Sequence, residues 1–282
     1  MIDFNLINNP YFIGEIGINH NGDIQIAKKL LDAVHACEWD CGKFQKRNPN
    51  ISVPKKQKRI KRDTPWGKMT YIDYKHKIEF GNKDYDLIDQ YCREKPLEWT
   101  MSVWDIDSLE FSLQYDLPFL KIPSAMLTNT ELLKAASQSG AAILMSTGMS
   151  TLKEIDLAVN VLEKNTKSYA LMHCNSSYPA KHEDLNINVI PMLRDRYDCI
   201  IGYSGHEYDL EPTVIAVSLG AIIIERHITL SHNMWGTDQK ASLEVNAMSL
   251  LKKRIADIHK ILGSKNKKVT DSEIPIREKL RG

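Results

Sequence analysis

Two histidines carry the most pointed chemistry in this chain. The segment GYSGHEYDLEPTVIAVSLGAIIIERHITL, residues 202–230, reads as strand, polar turn, helix and strand, and it sets His206 and His227 just after two apolar runs. If those runs are neighbours in a parallel sheet, both imidazoles face one site and form part of a metal centre. A histidine after a strand is more often a hydrogen-bonded structural residue, so the pair alone leaves both roles open. Lys43 and Lys121 also end apolar runs, and a lysine is costly to bury unpaired. Either an inward carboxylate such as Glu15 neutralises them, or an anionic ligand does, with Ser102, Ser124, Ser146 and Ser204 as hydroxyl donors. The run STGM at 146–149, directly before a predicted helix, would add backbone donors at a positive helix end. A metal held by only two histidines keeps positions open for water and substrate and can polarise a carbonyl as a Lewis acid. Glu15 is the natural carboxylate to bind that metal or orient a water on it. Asp238, in the loop WGTDQKAS, either reaches the same rim to contact a substrate hydroxyl or caps the last helix.

Something must bring these groups together. The chain alternates short β-rich runs with amphipathic segments. Strands are predicted at residues 11–18, 42–45, 99–104, 119–122, 142–146, 169–174, 199–203 and 221–225, each followed by a helix, the last helix spanning 247–262. The runs are continuously apolar, as parallel strands buried on both faces should be. This repetition favours a single (β/α)8 TIM barrel over an open doubly wound sheet. Neither GxGxxG nor GxxxxGK[ST] occurs, so the nucleotide-binding alternatives lack their fingerprint. Chemistry in such a barrel sits at the C-terminal strand ends. Those positions hold Glu15, Asn19 and His20; Lys43 and Gln45; Ser102; Lys121 and Ser124; Ser146 and Thr147; Ser176 and Tyr178; Ser204 and His206; Glu225 and His227. So many polar groups at one rim are hard to read as core filling. Residues 46–82 are predicted to form an irregular basic insertion. Its run PKKQKRIKR at 54–62 is a solvated face or a steering patch for anionic substrates.

Composition narrows the class. The chain has 282 residues, 43% of them hydrophobic, enough for one large core. A net charge of +1 gives no overall field towards nucleic acid or membrane. No window of 18 uninterrupted apolar residues occurs, and the N-terminus lacks the pattern of a secretory signal, so a cytoplasmic protein is expected. Cys37, Cys41, Cys92, Cys174 and Cys199 are odd in number and form no CxxC, which fits reduced, buried thiols.

The ordered segments GEIGINHNGDIQIAKKLLDA, GKFQK, WGKMTYIDYKHKIEF, KIPSAMLTN, LMSTGMSTLKEID, HCNSSYPAKHEDLN, IGYSGHE and ERHITLSHNMWGTDQKASLE resemble the sialic acid (N-acetylneuraminate) synthase family from about residue 11 onward. That resemblance implies condensation of phosphoenolpyruvate with N-acetylmannosamine or its 6-phosphate. It implies a divalent ion, Mn2+ before Mg2+ or Co2+, on His206 and His227, with Glu15 beside it. Lys43, Ser102, Lys121, Ser124, Ser146, Ser176 and Ser204 would cradle phosphoenolpyruvate, and Gln45, Tyr178 and Asp238 would contact the sugar. Legionaminate and pseudaminate synthases share this chemistry and differ in the sugar. Another phosphoenolpyruvate-condensing barrel and a non-catalytic binding barrel are the further alternatives. Related enzymes are dimers, so a homodimer is expected. Three departures stand out. The tail IPIREKLRG resembles the lead into an antifreeze-like (SAF) domain that normally lends an arginine to the sugar site, and there the chain stops, so an altered sugar pocket is expected. Met126 stands where many members carry an acidic residue. WGTDQKAS replaces the PGPDHKAS usual in bacterial members and points to the animal-like branch.

Overall fold

The computed structural model describes residues 1–166 and 168–282. Its strands are β1 (Tyr11–Gly17), β2 (Cys41–Lys46), β3 (Lys61–Thr64), β4 (Gly67–Thr70), β5 (Glu98–Val103), β6 (Leu120–Ile122), β7 (Ile143–Ser146), β8 (Tyr169–Cys174), β9 (Ile200–Gly205) and β10 (Ile223–His227). All but β3 and β4 close into a parallel barrel in the order β1-β10-β9-β8-β7-β6-β5-β2. The (β/α)8 barrel predicted from the repeat is therefore the fold. Around it lie α1 (Ile24–Ala36), α4 (Asn82–Glu94), α5 (Ile106–Ser112), α6 (Thr130–Gln138), α7 (Leu152–Asn165), α8 (Val189–Arg196), α9 (Glu211–Ser218) and α10 (Val245–Ala256). Short helices α2 (Pro49–Ser52), α3 (Tyr71–Ile78), α11 (Ile258–Leu262) and α12 (Ile274–Arg281) complete the set.

The alternation of a strand explains why the barrel has a dry floor and a polar roof. Side chains two apart on a strand share a face and are about 7 Å apart along it. Ile13 lies two residues before Glu15, Cys41 before Lys43, Phe119 before Lys121, Leu144 before Ser146, and Ile223 before Glu225. Those apolar residues, with Phe4, Ala170 and Met172, form one buried cluster. The residues after them supply the polar end. Between strands and helices runs a second, larger apolar layer that includes Ile16, Leu31, Phe44, Met101, Leu133, Val159 and Ile224.

Three expectations change. Residues 46–82 are not irregular: they contain α2, the antiparallel β3–β4 hairpin and α3. Too many of the side chains there are exposed for a periodic apolar pattern to betray them. The final helix is broken, with Asp257 between α10 and α11. The third change concerns STGM at 146–149: Ser150 and Thr151 separate it from α7, which starts at Leu152 as expected, with Thr151 as N-cap in a reciprocal capping box with Glu154. The box spends the Glu154 N–H on the Thr151 hydroxyl, and STGM does not itself open the helix. All five cysteines are free, four of them buried, as expected.

Candidate active site

A cleft of about 630 Å³, its open mouth included, occupies the C-terminal end of the barrel. Glu15, Lys43, Gln45, Ser102, Lys121, Ser124, Ser146, Ser176, Tyr178, Ser204, His206 and His227 all line it. Asp238 does not, but its Oδ2 stands 3.8 Å from His227 Nδ1. The seam that closes the barrel aligns the reactive groups directly. Register pairs Glu15 with His227 across β1 and β10, and with Lys43 across β1 and β2.

Glu225, one of the rim residues, is the hub of the site. Its Oε2 accepts from Lys121 Nζ at 2.7 Å, its Oε1 accepts from Ser204 Oγ at 3.1 Å, and Lys43 Nζ is 3.5 Å away. Lys43 Nζ is also 2.5 Å from Glu15 Oε2. Two carboxylates and two ammoniums thus alternate in one buried set whose formal charges cancel. Inward carboxylates pair with both lysines, and both ammoniums also line the cleft beside the serine hydroxyls. Burial pushes the Glu15 carboxyl up, Glu225 adding to this and Lys43 opposing. Burial also favours neutral Glu225, but Lys121 and Lys43 outweigh it and hold that carboxyl at about 2. Burial lowers Lys121 despite Glu225, whereas for Lys43 the paired carboxylates overcome burial and raise it. The signal for Glu225 was available: in ERH it shares a strand face with His227.

His206 and His227 meet edge to face, ring centroids 5.5 Å apart. His206 Nδ1 points at the Asn175 carbonyl and must carry the proton, which leaves the Nε2 lone pair for the pocket. The Tyr178 hydroxyl donates to that lone pair at 3.1 Å. Burial and the neighbouring His227 lower His206 to about 3, and burial lowers His227 to about 4 against the pull of Asp238. Both rings are therefore neutral, the form that binds metals. His227 Nδ1 is buried without a hydrogen-bond partner. Among the described residues no group of three His, Cys, Asp or Glu side chains could hold a metal. The residues therefore fit an ion held by two imidazoles, with water or substrate completing its shell, and do not make a closed structural site. The Tyr178 hydroxyl would have to yield its position on His206.

The remaining wall is made by close backbone approach. A Cβ on Gly148 would lie 2.4 Å from Ser176 Oγ, 2.8 Å from Ser124 Oγ and 2.9 Å from Cys174 Sγ. Gly148 N–H donates to Ser124 Oγ at 3.1 Å, so the loop after β7 supplies this donor rather than a helix end. Gln45 is committed at both ends: its Nε2 donates to Glu15 at 2.7 Å and its Oε1 accepts from Arg47. Met126 packs against the apolar layer while Ala125 lines the cleft. His20 belongs to the architecture: its ring stacks on Phe80 at 3.9 Å and its Nδ1 accepts from Gly22 N–H. Behind the two histidines lies a pair the sequence did not disclose. Fully buried Arg226 bridges to Glu207 at 3.0 Å and also bonds the Thr213 hydroxyl and the backbone of Asp209 and Glu207.

Comparison with known proteins gives consistent matches. A family model described as NeuB family matches residues 30–267. N-acetylneuraminate-9-phosphate synthase of Mus musculus is 33% identical over 96% of this chain and 76% of its own length. N,N'-diacetyllegionaminic acid synthase of Legionella pneumophila is 32% identical over 96% of this chain and 78% of its own. The crystal structure of the N-acetylneuraminic acid synthetase of Leptospira borgpetersenii, in complex with citrate, superposes with a TM-score of 0.86 at 30% identity, covering 97% of this chain and 93% of that one.

Proposed function

The chain belongs to the NeuB family, and within that family of synthases we propose that it condenses phosphoenolpyruvate with N-acetylmannosamine or its 6-phosphate. The products are N-acetylneuraminate or its 9-phosphate, and inorganic phosphate. The observation that carries this is the convergence of Glu15, Lys43, Lys121, Glu225, His206 and His227 in one cleft with a ring of serine hydroxyls. Lys43, Lys121 and the hydroxyls of Ser102, Ser124, Ser146, Ser176 and Ser204 bind and orient phosphoenolpyruvate by charge-assisted hydrogen bonds. Its C3 forms the new bond to the aldehyde carbon of the open-chain sugar, whose oxygen takes up a proton. Water adds at C2, and the C2–O bond breaks so that phosphate leaves with the bridging oxygen. Glu15, pushed up by burial, takes the proton released by that water. His206 and His227 would hold a divalent ion such as Mn2+, which supplies Lewis-acid polarisation of the aldehyde. Tyr178 and Asp238 face the sugar beside that pair.

A second reading changes only the sugar. The legionaminic acid synthase matches this chain as well as the N-acetylneuraminate-9-phosphate synthase does. Phosphate release from phosphoenolpyruvate with Mn2+ and a panel of hexosamines separates the two. Turnover with N-acetylmannosamine or its 6-phosphate is expected. Turnover confined to a 2,4-diacetamido sugar would transfer the assignment to legionaminate or pseudaminate synthesis. No helix among the described residues is long and apolar enough to cross a membrane. A cytoplasmic homodimer is the working assembly that the family resemblance suggests.

A further inference from the structure

Two buried cations near the cleft take no part in the chemistry above. Arg47 follows β2 and is 9% exposed. Its guanidinium donates to the Gln45 side-chain oxygen and lies 4.4 Å over the Trp104 ring, and both of those residues line the cleft. A chain of side chains thus runs outward from the reacting centre, Glu15 to Gln45 to Arg47. Lys75, on α3, is 5% exposed. Among the described residues it has no hydrogen bond and no ion pair; its Nζ has only the rings of Tyr71 at 5.3 Å and Tyr74 at 5.4 Å. Tyr74 packs edge to face on Trp235 at 5.2 Å, in the loop that carries Asp238. The helix that carries Lys75 is thereby packed on the loop that carries Asp238. Burial, with Arg47 adding its repulsion, lowers this ammonium to about 7.

The carboxylates close by are already engaged. Glu79 accepts from Lys46 Nζ and from Arg47 N–H, both at 3.0 Å. Asp238 faces His227 and accepts from the Thr237 hydroxyl at 2.6 Å. Asp238 and Glu79 attract Lys75 from a distance but neither bonds it, so two buried cations stand close together with no carboxylate directly on the ammonium, an unfavourable arrangement in the free protein. A dianionic phosphoryl group offers what both lack: oxygens for the guanidinium fork and charge for the ammonium.

We propose that Arg47 and Lys75 form a subsite for a phosphoryl group carried by the acceptor sugar at the end remote from its aldehyde. This rests on the proposed condensation and assigns its acceptor as a sugar phosphate. The placement follows from the order of groups, since Arg47 lies one side chain further out than Gln45 and two further out than Glu15.

The test compares N-acetylmannosamine with its 6-phosphate at saturating phosphoenolpyruvate and Mn2+, in the wild type, Lys75→Met and Lys75→Arg. Loss of one charge-assisted contact corresponds to roughly 10-fold or more. The kcat/KM ratio of phosphorylated to plain sugar is expected to fall by about that factor in Lys75→Met through KM, and to recover in part in Lys75→Arg. Lys75→Met is also expected to melt no lower than wild type, because it removes an unpaired buried charge. An unchanged ratio in Lys75→Met overturns the subsite, as does a loss of equal size for both sugars. If the wild type turns over neither sugar, the condensation itself has failed. Calorimetry with N-acetylmannosamine 6-phosphate alone then decides the subsite: binding that weakens in Lys75→Met supports it, and matching isotherms refute it.

Discussion

At the scale of single residues, the alternating carboxylates and lysines set what mutation can reveal. Lys121→Met should weaken phosphoenolpyruvate binding by about 1.5–3 kcal/mol, the size of a charge-assisted contact. It should also destabilise the fold by about 3–5 kcal/mol, because Glu225 is left buried with a poorer partner. Adding Glu225→Gln is expected to restore much of the stability and none of the affinity, a coupling that urea titration and ligand titration measure separately. Recovery of both would take Lys121 out of the anion pocket. His206→Ala should abolish Mn2+-dependent turnover and the rise in melting temperature on adding Mn2+, with circular dichroism unchanged; a protein that loses its fold would make His206 structural. The rim residues were legible because apolar runs end abruptly in polar types. Their pairing was not, because a linear sequence does not say that Glu225 faces Lys121 across the barrel, 104 residues away.

Whole elements carry the geometry of the site. The loop after β7 reaches the pocket only because Gly148 lacks a side chain. Gly148→Ala is expected to raise the KM for phosphoenolpyruvate by about tenfold or more, since a 1 Å misplacement of binding groups costs on that scale or beyond. Its melting temperature should fall little if the serine hydroxyls rotate aside, and an unchanged KM would show that the loop does not touch the ligand. Behind β9 and β10, Arg226 and Glu207 tie together the strand ends that bear His206 and His227. Glu207→Ala should destabilise by about 3–5 kcal/mol, since it strands a buried guanidinium; a loss under about 1 kcal/mol in urea unfolding would mean the pair is solvated. The barrel strands could be read because both faces are apolar. The hairpin and α3 could not, because they lie over the rim with one face in water and hold on through scattered aromatic contacts such as Tyr74 on Trp235.

Across the whole molecule, acid is the weakness. Burial lowers His20 to about 3, and its ring nitrogen already accepts from Gly22 N–H. In the unfolded chain the same histidine titrates near 6.5. Between those values the unfolded state binds the extra proton, so stability is intact above about pH 6.5 and declines as pH falls towards 3. The slope approaches roughly 1.4 kcal/mol per pH unit for this residue alone. Urea midpoints at pH 7 and pH 5 should differ accordingly, and His20→Gln should flatten the difference; equal midpoints in the wild type would refute the buried neutral ring. The register of the closing seam has a further consequence. Glu15 comes from the first strand and His227 from the last, yet they stand side by side. A ribosome releases them more than two hundred residues apart. During synthesis the nascent chain gains Lys43 and Lys121 long before Glu225, and it has neither histidine until the final two strands emerge. Competence therefore arrives in one late step, when the last strand of the barrel has emerged and slots against the first.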